Sequence, residues 1–175
     1  RPNTFIVIPR VSSENRKYIP MGFFDYSSIV SDTMLSIPNG TLYNFGVLMT
    51  EMHMTWVKYT CGRLKSDYRY SKDLVYNNYP WPLSPSEKNQ KKVEEKKQKV
   101  LDVRAEYPNS SLADLYHQLT MPPKLVKAHQ ELDKAVDLCY RPQAFTNETA
   151  RIEYLFDLYK SYTEPLLDTK KKKNR

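Results

Sequence analysis

Three prolines within six residues, Pro80, Pro82 and Pro85, constrain the fold of this chain more than any other feature. Proline fixes its own φ angle and lacks a backbone N–H, so the cluster continues neither a helix nor a central strand. It therefore predicts a stiff, extended connection between two parts of the chain. We place a domain boundary there, with a first domain over residues 1–83 and a second over residues 84–175.

The first part begins with sequence that is typical of strands. Short runs of β-branched and aromatic residues predict three strands, over residues 4–10, 18–24 and 33–37. Asn39 and Gly40 predict a tight turn, and Thr41 can cap a helix after it. Apolar side chains at spacings of three and four then predict one amphipathic helix over residues 42–59, which Gly62 would end.

The second part predicts helices. Ser84 or Ser86 can cap a helix over residues 87–106, whose first half is so rich in Lys, Glu, Gln and Asn that we expect it to be solvated. Ser111 with Asp114 resembles a capping box. The remaining helices are predicted over residues 111–119 and 124–140, and from Thr146 or Asn147 onward. The fold class is therefore α+β, a small mixed α/β domain followed by a helical C-terminal domain.

Several classes of chemistry find no support in the sequence. It carries none of the short motifs of a phosphate loop, a zinc hydrolase or a serine acyltransferase. His53, His117 and His129 do not cluster, so we predict neither a metal site nor a catalytic residue. Cys61 and Cys139 stand far apart without metal-ligand spacing, which favours a reducing compartment, the cytoplasm. No apolar run approaches the roughly 20 residues that a membrane span needs.

Charge points to a polyanionic partner, since the net charge is +7. The excess lies in residues 1–83, which hold 9 basic and 6 acidic residues, and in the basic tail of residues 170–175. In the first part it is concentrated in a run of residues, 63–72, that also contains tyrosines. Side chains alternate along an extended chain, so we expect one side of this run to present Arg63, Lys65, Asp67 and Arg69.

The run supports two interpretations. Lysine donates to guanine O6 and N7 and aspartate accepts from cytosine N4, so Lys65 and Asp67 together can read both edges of a G·C pair, while Arg69 takes a neighbouring purine or a phosphate. Alternatively, the three residues form an ordinary exposed ladder of salt bridges, which is common and contributes little energy. Residue types alone do not separate the two interpretations.

Longer sequence motifs favour the DNA-reading interpretation. Consecutive segments of the first part resemble the target recognition domain of type IIG restriction-modification enzymes, which are adenine-specific DNA methyltransferases. These segments are Ser36-Ile-Pro-Asn39, Leu42-Tyr-Asn-Phe-Gly-Val-Leu48, Met52-His-Met-Thr-Trp56, Gly62-Arg-Leu-Lys-Ser-Asp-Tyr-Arg-Tyr-Ser71 and Val75-Tyr-Asn-Asn-Tyr-Pro-Trp-Pro82. Leu115-Tyr-His-Gln-Leu-Thr-Met-Pro-Pro123 and residues 127–137 resemble the helical region that follows this domain in the family.

The resemblance implies sequence-specific recognition of double-stranded DNA. The base-reading positions that it implies are Lys65, Asp67 and Arg69, with Asp32 and Thr33 reading another base pair. We assign phosphate contacts to Lys58, Arg63, Lys72 and the basic tail. By the same resemblance, core packing rather than base stacking is the role of Tyr70, Tyr76 and Trp81.

Catalysis is expected outside this chain. The S-adenosylmethionine motif and the Asn-Pro-Pro-Tyr-type motif of the methyltransferase are missing, as is the carboxylate-lysine motif of the nuclease. We therefore expect no cofactor here, S-adenosylmethionine and Mg²⁺ in a longer parent enzyme, and an upstream methyltransferase domain of the same parent chain as partner. Because Arg1 directly precedes strand-like sequence, we expect a first domain that is truncated at its N-terminal side.

Two alternatives belong to other classes of function. In the first, the chain is a docking module of a larger phage-defence protein: residues 84–169, with 13 basic and 14 acidic residues, bind the rest of that protein and the basic run is merely solvated. In the second, the chain is an RNA-binding domain, which would prefer single-stranded loops and would stack bases on Tyr68.

Overall fold

The computed structural model describes residues 4–25 and 27–173, and the side chains of residues 4–25 and 27–164. The predicted α+β class is confirmed, because small antiparallel sheets lie beside a set of longer helices. Asn174 and Arg175 of the predicted basic tail, and the lysine side chains before them, lie outside what is described.

Two three-stranded antiparallel sheets form in the described part of the chain. Their strands are β1 (Thr4–Pro9), β2 (Val11–Ser12), β3 (Gly22–Asp25), β4 (Met34–Pro38), β5 (Gly62–Leu64) and β6 (Asp67–Arg69). The first sheet has the order β3-β1-β4 and the second has the order β2-β6-β5. Since only Arg10 separates β1 from β2, one nearly continuous run of chain contributes to both sheets and holds them together.

The strand predictions hold best where the strand is central. The predicted first strand is confirmed as β1, which pairs with both β3 and β4. The prediction over residues 18–24 is wrong for its first four residues, because pairing starts at Gly22. Tyr18, Ile19 and Met21 are instead buried side chains of an irregular segment. Their apolar character therefore serves the core and not a sheet.

Two helices lie between β4 and β5, and helices dominate the second part of the chain. They are α1 (Leu42–Leu48), α2 (Glu51–Thr60), a π-helical turn (Lys72–Tyr76), α3 (Glu87–Ala105), α4 (Leu112–Leu115), α5 (Pro123–Tyr140) and α6 (Glu148–Lys173). The predicted cap at Thr41 is confirmed and forms a capping box with Asn44, and the predicted capping box of Ser111 with Asp114 is confirmed. Ser86 caps α3 through the backbone N–H of Asn89, as predicted.

The predicted single helix over residues 42–59 is wrong, because the chain breaks at Met49 and Thr50. Met49 leaves helical geometry with φ −100° and ψ 36°, and Thr50 is extended. The Thr50 hydroxyl donates to the carbonyl oxygen of Val47 at 2.8 Å and satisfies an end of α1. Gly62 lies at the predicted C′ position, directly after the C-cap residue Cys61, but it does not take a positive φ and already begins β5.

The predicted solvated helix is α3, and one of its faces is in fact buried. Its inward side chains are Val93, Lys97, Val100 and Val103. The backbone of α1 comes close to this face, so that a Cβ added to Gly46 would lie 2.7 Å from Cγ1 of Val93. Glycine at position 46 therefore permits the approach of α1 to α3, and the hydrophobic core is shared by both parts of the chain. The division into two domains near residue 83 stays a prediction.

A buried polar network crosses between the two parts of the chain. The hydroxyl of Tyr18 donates to Oδ2 of Asp133 on α5 at 2.6 Å. Arg151 on α6 bridges Asp137 on α5, at 2.7 Å, and Glu51 on α2, at 3.3 Å. Because buried carboxylates are costly unless they are paired or hydrogen-bonded, these contacts fix α2 against α5 and α6.

Candidate nucleic-acid interface

The residues from 62 to 69 form a β-hairpin that is supported by α2. Helix α2 ends where the backbone N–H of Cys61 donates to the carbonyl oxygen of Val57, and β5 starts at the next residue. Strands β5 and β6 are joined by a two-residue turn, Lys65 and Ser66. Lys65 has a φ of 56°, the left-handed conformation that tight hairpin turns require. The turn places the Lys65 side chain at the exposed tip of the hairpin.

Because residues 62–69 form a hairpin and not one extended strand, the side chains that share a face differ from those predicted. Directly opposed residues of paired strands project to the same side, and here Leu64 opposes Asp67 while Gly62 opposes Arg69. These four residues form the outer face of the hairpin. The prediction that Arg63 projects with Asp67 and Arg69 is wrong, because the turn interrupts the alternation.

Arg63 instead lies on the inner face of the hairpin. It opposes Tyr68, and its guanidinium carbon lies 4.1 Å from the centre of the Tyr68 ring. Its Nη1 donates to the carbonyl oxygen of Ser66 at 2.9 Å and lies 3.8 Å from the carboxylate of Glu14. These contacts make Arg63 a stabiliser of the hairpin, although its side chain stays partly exposed.

Arg10 brings the second pair of predicted base-reading residues next to the hairpin. Its backbone N–H donates to the carbonyl oxygen of Thr33 at 3.1 Å, and its own carbonyl oxygen accepts from Tyr70 at 2.8 Å. Its side-chain Nε donates to the carbonyl oxygen of Asp32 at 2.9 Å. Asp32, Thr33 and Arg10 are all exposed. The structure therefore gathers Asp32, Thr33 and the end of β6 around one arginine.

Sequence reasoning did not single out Arg10 as a site residue. It falls at the end of the predicted strand over residues 4–10, where an exposed basic side chain follows an apolar run. That contrast is the signal that could have found it. Its importance becomes visible only when β1 pairs with β4 and β2 pairs with β6.

The predicted phosphate-binding residues are not gathered in one place. The amine of Lys58 lies 2.5 Å from Oε2 of Glu148, so it is directed to the start of α6. Lys72 is exposed at the first position of the π-helical turn that follows the hairpin. Its position keeps a cation close to β6. Of the three predicted residues, Lys72 is thus the one whose surroundings best suit a phosphate.

Aromatic side chains support the hairpin from beneath. Tyr68 and Tyr70 are 4% and 2% exposed, so neither offers a face to a nucleic-acid base. The hydroxyl of Tyr70 is hydrogen-bonded to Nε2 of His53 at 2.9 Å, and the Tyr79 ring meets His53 edge-on. Burial lowers the pKa of His53 to about 3, so the imidazole is neutral and acts in packing. These contacts hold β6 rigidly on α2.

The other predicted packing residues behave in the same way. Tyr76 and Trp81 are partly buried against the core, with their rings at 6.3 Å in an edge-to-face arrangement. Within residues 4–25 and 27–173 there is no group of three or more His, Cys, Asp or Glu residues that could hold a metal ion. None of the helices in that same part is long and apolar enough to cross a membrane.

Comparison with protein families gives two matches that lie side by side. Residues 1–83 match the family described as "MmeI, target recognition domain". Residues 85–167 match the family described as "MmeI, C-terminal domain".

Individual relatives agree with these matches. The chain is 47% identical over 163 residues to DNA methyltransferase A of Bacillus subtilis (strain 168). The aligned region covers 93% of the chain and 18% of that protein. Among solved structures, it is similar to the type IIL restriction-modification enzyme MmeI in complex with DNA, with a TM-score of 0.87 and 46% identity. That similarity covers 94% of the chain and 22% of the solved enzyme. The chain thus spans about a fifth of the length of each relative.

Proposed function

This chain belongs to the MmeI family of restriction-modification proteins, and we propose that it is the part that selects the DNA sequence. The observation that carries the proposal is the β5–β6 hairpin, which exposes Lys65 and Arg69 and holds the half-buried Asp67 between them, with α2 as its support. The similarity to an enzyme solved in complex with DNA supports the same role. The family resemblance drawn from the sequence is thereby confirmed.

The geometry of the hairpin suits the major groove of duplex DNA. That groove admits a two-stranded β-ribbon and presents a distinct pattern of donors and acceptors for each base pair. Lys65 at the tip supplies a donor for guanine O6 and N7, and Asp67 supplies an acceptor for the cytosine amino group. The turn keeps the two residues adjacent, so together they read one G·C pair. Arg69 on the same outer face reads a neighbouring guanine.

A second reading cluster lies beside the hairpin. Arg10 supplies donors, while Asp32 and Thr33 supply acceptors, which repeats the combination of a cation and an acidic residue. The hydrogen bond from Nε of Arg10 to the carbonyl oxygen of Asp32 orients the guanidinium. We assign to this cluster a base pair different from the one read by Lys65 and Asp67.

Affinity comes from contacts with phosphates. Lys72 is exposed next to the hairpin, and Arg63 keeps part of its guanidinium accessible. Lys58 joins them only when Glu148 releases its amine, because the two form an ion pair in the free chain. Such contacts position the protein on the duplex and carry no sequence information themselves.

The catalytic steps belong to a longer protein. Both relatives exceed this chain about fivefold in length, and their names describe a DNA methyltransferase and a restriction-modification enzyme. We propose a cytoplasmic parent enzyme whose upstream domain methylates adenine with S-adenosylmethionine and whose nuclease uses Mg²⁺. The chain itself binds DNA and places the target adenine for that domain, which draws the base out of the helix.

Burial of the hairpin tyrosines argues against the RNA alternative. Single-stranded RNA is bound by stacking bases on exposed aromatic rings, and Tyr68 and Tyr70 are both buried. The docking alternative leaves the exposed charged residues of the hairpin without a function. Neither alternative therefore gives a role to the charged residues on the outer face of the hairpin.

A selection experiment tests the proposed function. The full-length enzyme that carries this chain is incubated with a library of DNA duplexes with a randomised segment, and the bound fraction is sequenced. We expect enrichment of one sequence motif, and affinity that falls steeply with salt concentration. Binding without any enriched motif, or preferential binding of a single-stranded RNA competitor, contradicts the proposal.

A further inference from the structure

The first residue of β5 is a glycine that the fold does not require. Gly62 does not adopt a positive φ angle, so its backbone conformation is open to any residue. A Cβ added there would meet no atom within 4 Å. The other three glycines of the chain differ, because an added Cβ would lie 2.2 Å from Phe24 at position 22, 2.6 Å from Ile6 at position 40 and 2.7 Å from Val93 at position 46.

The unused space lies on the outer face of the hairpin. Val11, Arg69 and Gly62 are opposed across β2, β6 and β5, so the three form one row of the second sheet. A side chain at position 62 would project beside Arg69, with the two Cβ atoms about 5 Å apart. The structure leaves that volume empty, and the side chain of Arg69 does not fill it.

Glycine within a strand weakens the sheet, since it offers no side chain for packing and loses more conformational freedom on folding. Where neither conformation nor packing requires it, a glycine in a strand often marks a site that another molecule approaches closely. The surrounding charges indicate which molecule, because exposed Arg10, Lys65 and Arg69 complement a polyanion.

We propose, on the premise that the chain reads duplex DNA, that Gly62 is the point where the DNA comes closest to the hairpin. The missing side chain lets a base edge enter the space beside Arg69, so that the guanidinium reaches its base in the major groove. A side chain at position 62 would hold the duplex away from Arg69. Gly62 is thus a positioning residue for DNA recognition.

The test is a graded series in the full-length enzyme, with Gly62→Ala and Gly62→Val. We expect the melting temperature to stay the same or rise, because the fold offers room and a strand favours valine. We expect affinity for the selected duplex to fall with side-chain size, by about 10-fold for Gly62→Val, the loss of one base contact. In library selection, the preference at the base read by Arg69 should weaken first.

Gly46→Ala is the matched control. It should lower the melting temperature, because its Cβ meets Val93, and leave the affinity of the folded fraction unchanged. Wild-type affinity in Gly62→Val overturns the inference, and so does a lowered melting temperature in Gly62→Ala, which would make the glycine a requirement of folding. Failure of the wild-type enzyme to select a duplex motif would instead refute the proposed function, so the two failures are distinguishable.

Discussion

Asp133 on α5 accepts a hydrogen bond from the backbone N–H of Glu51, the first residue of α2, at 2.9 Å. Thr50, the N-cap residue of α2, makes no side-chain capping bond, so a carboxylate from the helical part of the chain replaces the usual local cap. Helix α2 in turn leads into the β5–β6 hairpin at its other end. The helical part of the chain therefore helps to position the hairpin, through the contact between Asp133 and the start of α2.

Asp133 should make stability depend on pH. Its burial raises the pKa of the carboxyl group from 3.8 to about 7. The folded state therefore binds more protons than the unfolded state between these two values, so the free energy of unfolding should fall as pH rises from about 4 to about 7. Asp133→Asn keeps an acceptor for Glu51 and should flatten this slope. Urea unfolding of both proteins across that range isolates the contribution, and identical slopes would contradict it.

Lys97 should cost stability at neutral pH. Its side chain is fully buried, with Nζ 3.1 Å from Sδ of Met49 and 3.6 Å from the centre of the Phe45 ring. Burial, and secondarily the charge of Arg104, lowers its pKa well below the ordinary 10.5. The unfolded state then binds more protons, so stability should increase as pH rises toward 10.5.

The matching variant is Lys97→Met, which keeps the length of the side chain and removes the amine. We expect an increase of about 1 kcal/mol or more in the free energy of unfolding at pH 7, and a weaker pH dependence above it. Chemical denaturation at pH 7 and pH 9 measures both. A variant that is less stable than the wild type at pH 7 would show that the amine contributes a favourable contact.

Phosphate contacts should appear in the salt dependence of DNA binding. Each neutralised phosphate contributes about −0.9 to the slope of log affinity against log salt concentration. Lys72→Met should therefore make the slope shallower by about 0.9. Lys58→Met should change it by less, because Glu148 already pairs with Lys58. A larger change for Lys58→Met than for Lys72→Met would reverse our assignment.

The buried tyrosines should affect stability and not specificity. Tyr70→Phe removes the hydrogen bond to His53 and leaves the imidazole without that partner, so it should destabilise the fold by about 1 kcal/mol. The DNA motif enriched from a randomised library should stay the same. An altered motif would mean that Tyr70 takes part in base reading.

Local hydrogen bonding made part of the fold predictable. The cap at Thr41 and the capping box at Ser111 depend on residues three positions apart, and both appear where the sequence indicated. The break at Thr50 could not be predicted in this way, because the start of α2 is capped by Asp133, which accepts from the backbone N–H of Glu51 and lies 82 residues further along the chain.

The arrangement of the candidate site could not be predicted from the sequence. Tertiary contacts decide that Arg10 lies next to Asp32 and Thr33, since these depend on the pairing of β1 with β4. The left-handed φ of Lys65 creates the turn that moves Arg63 to the inner face. Nothing in the alternation of side chains signals such a turn at a lysine, a residue type that seldom adopts a positive φ.

The most direct test of base reading exchanges the characters of Lys65 and Asp67. In the full-length enzyme, Lys65→Glu combined with Asp67→Lys reverses donor and acceptor at the hairpin tip, and methylation sites are then mapped by sequencing. We expect the preferred base pair to change at one position of the motif, with about 1 to 3 kcal/mol of discrimination. An unchanged motif that is methylated only more slowly would contradict the claim that these two residues read the DNA sequence.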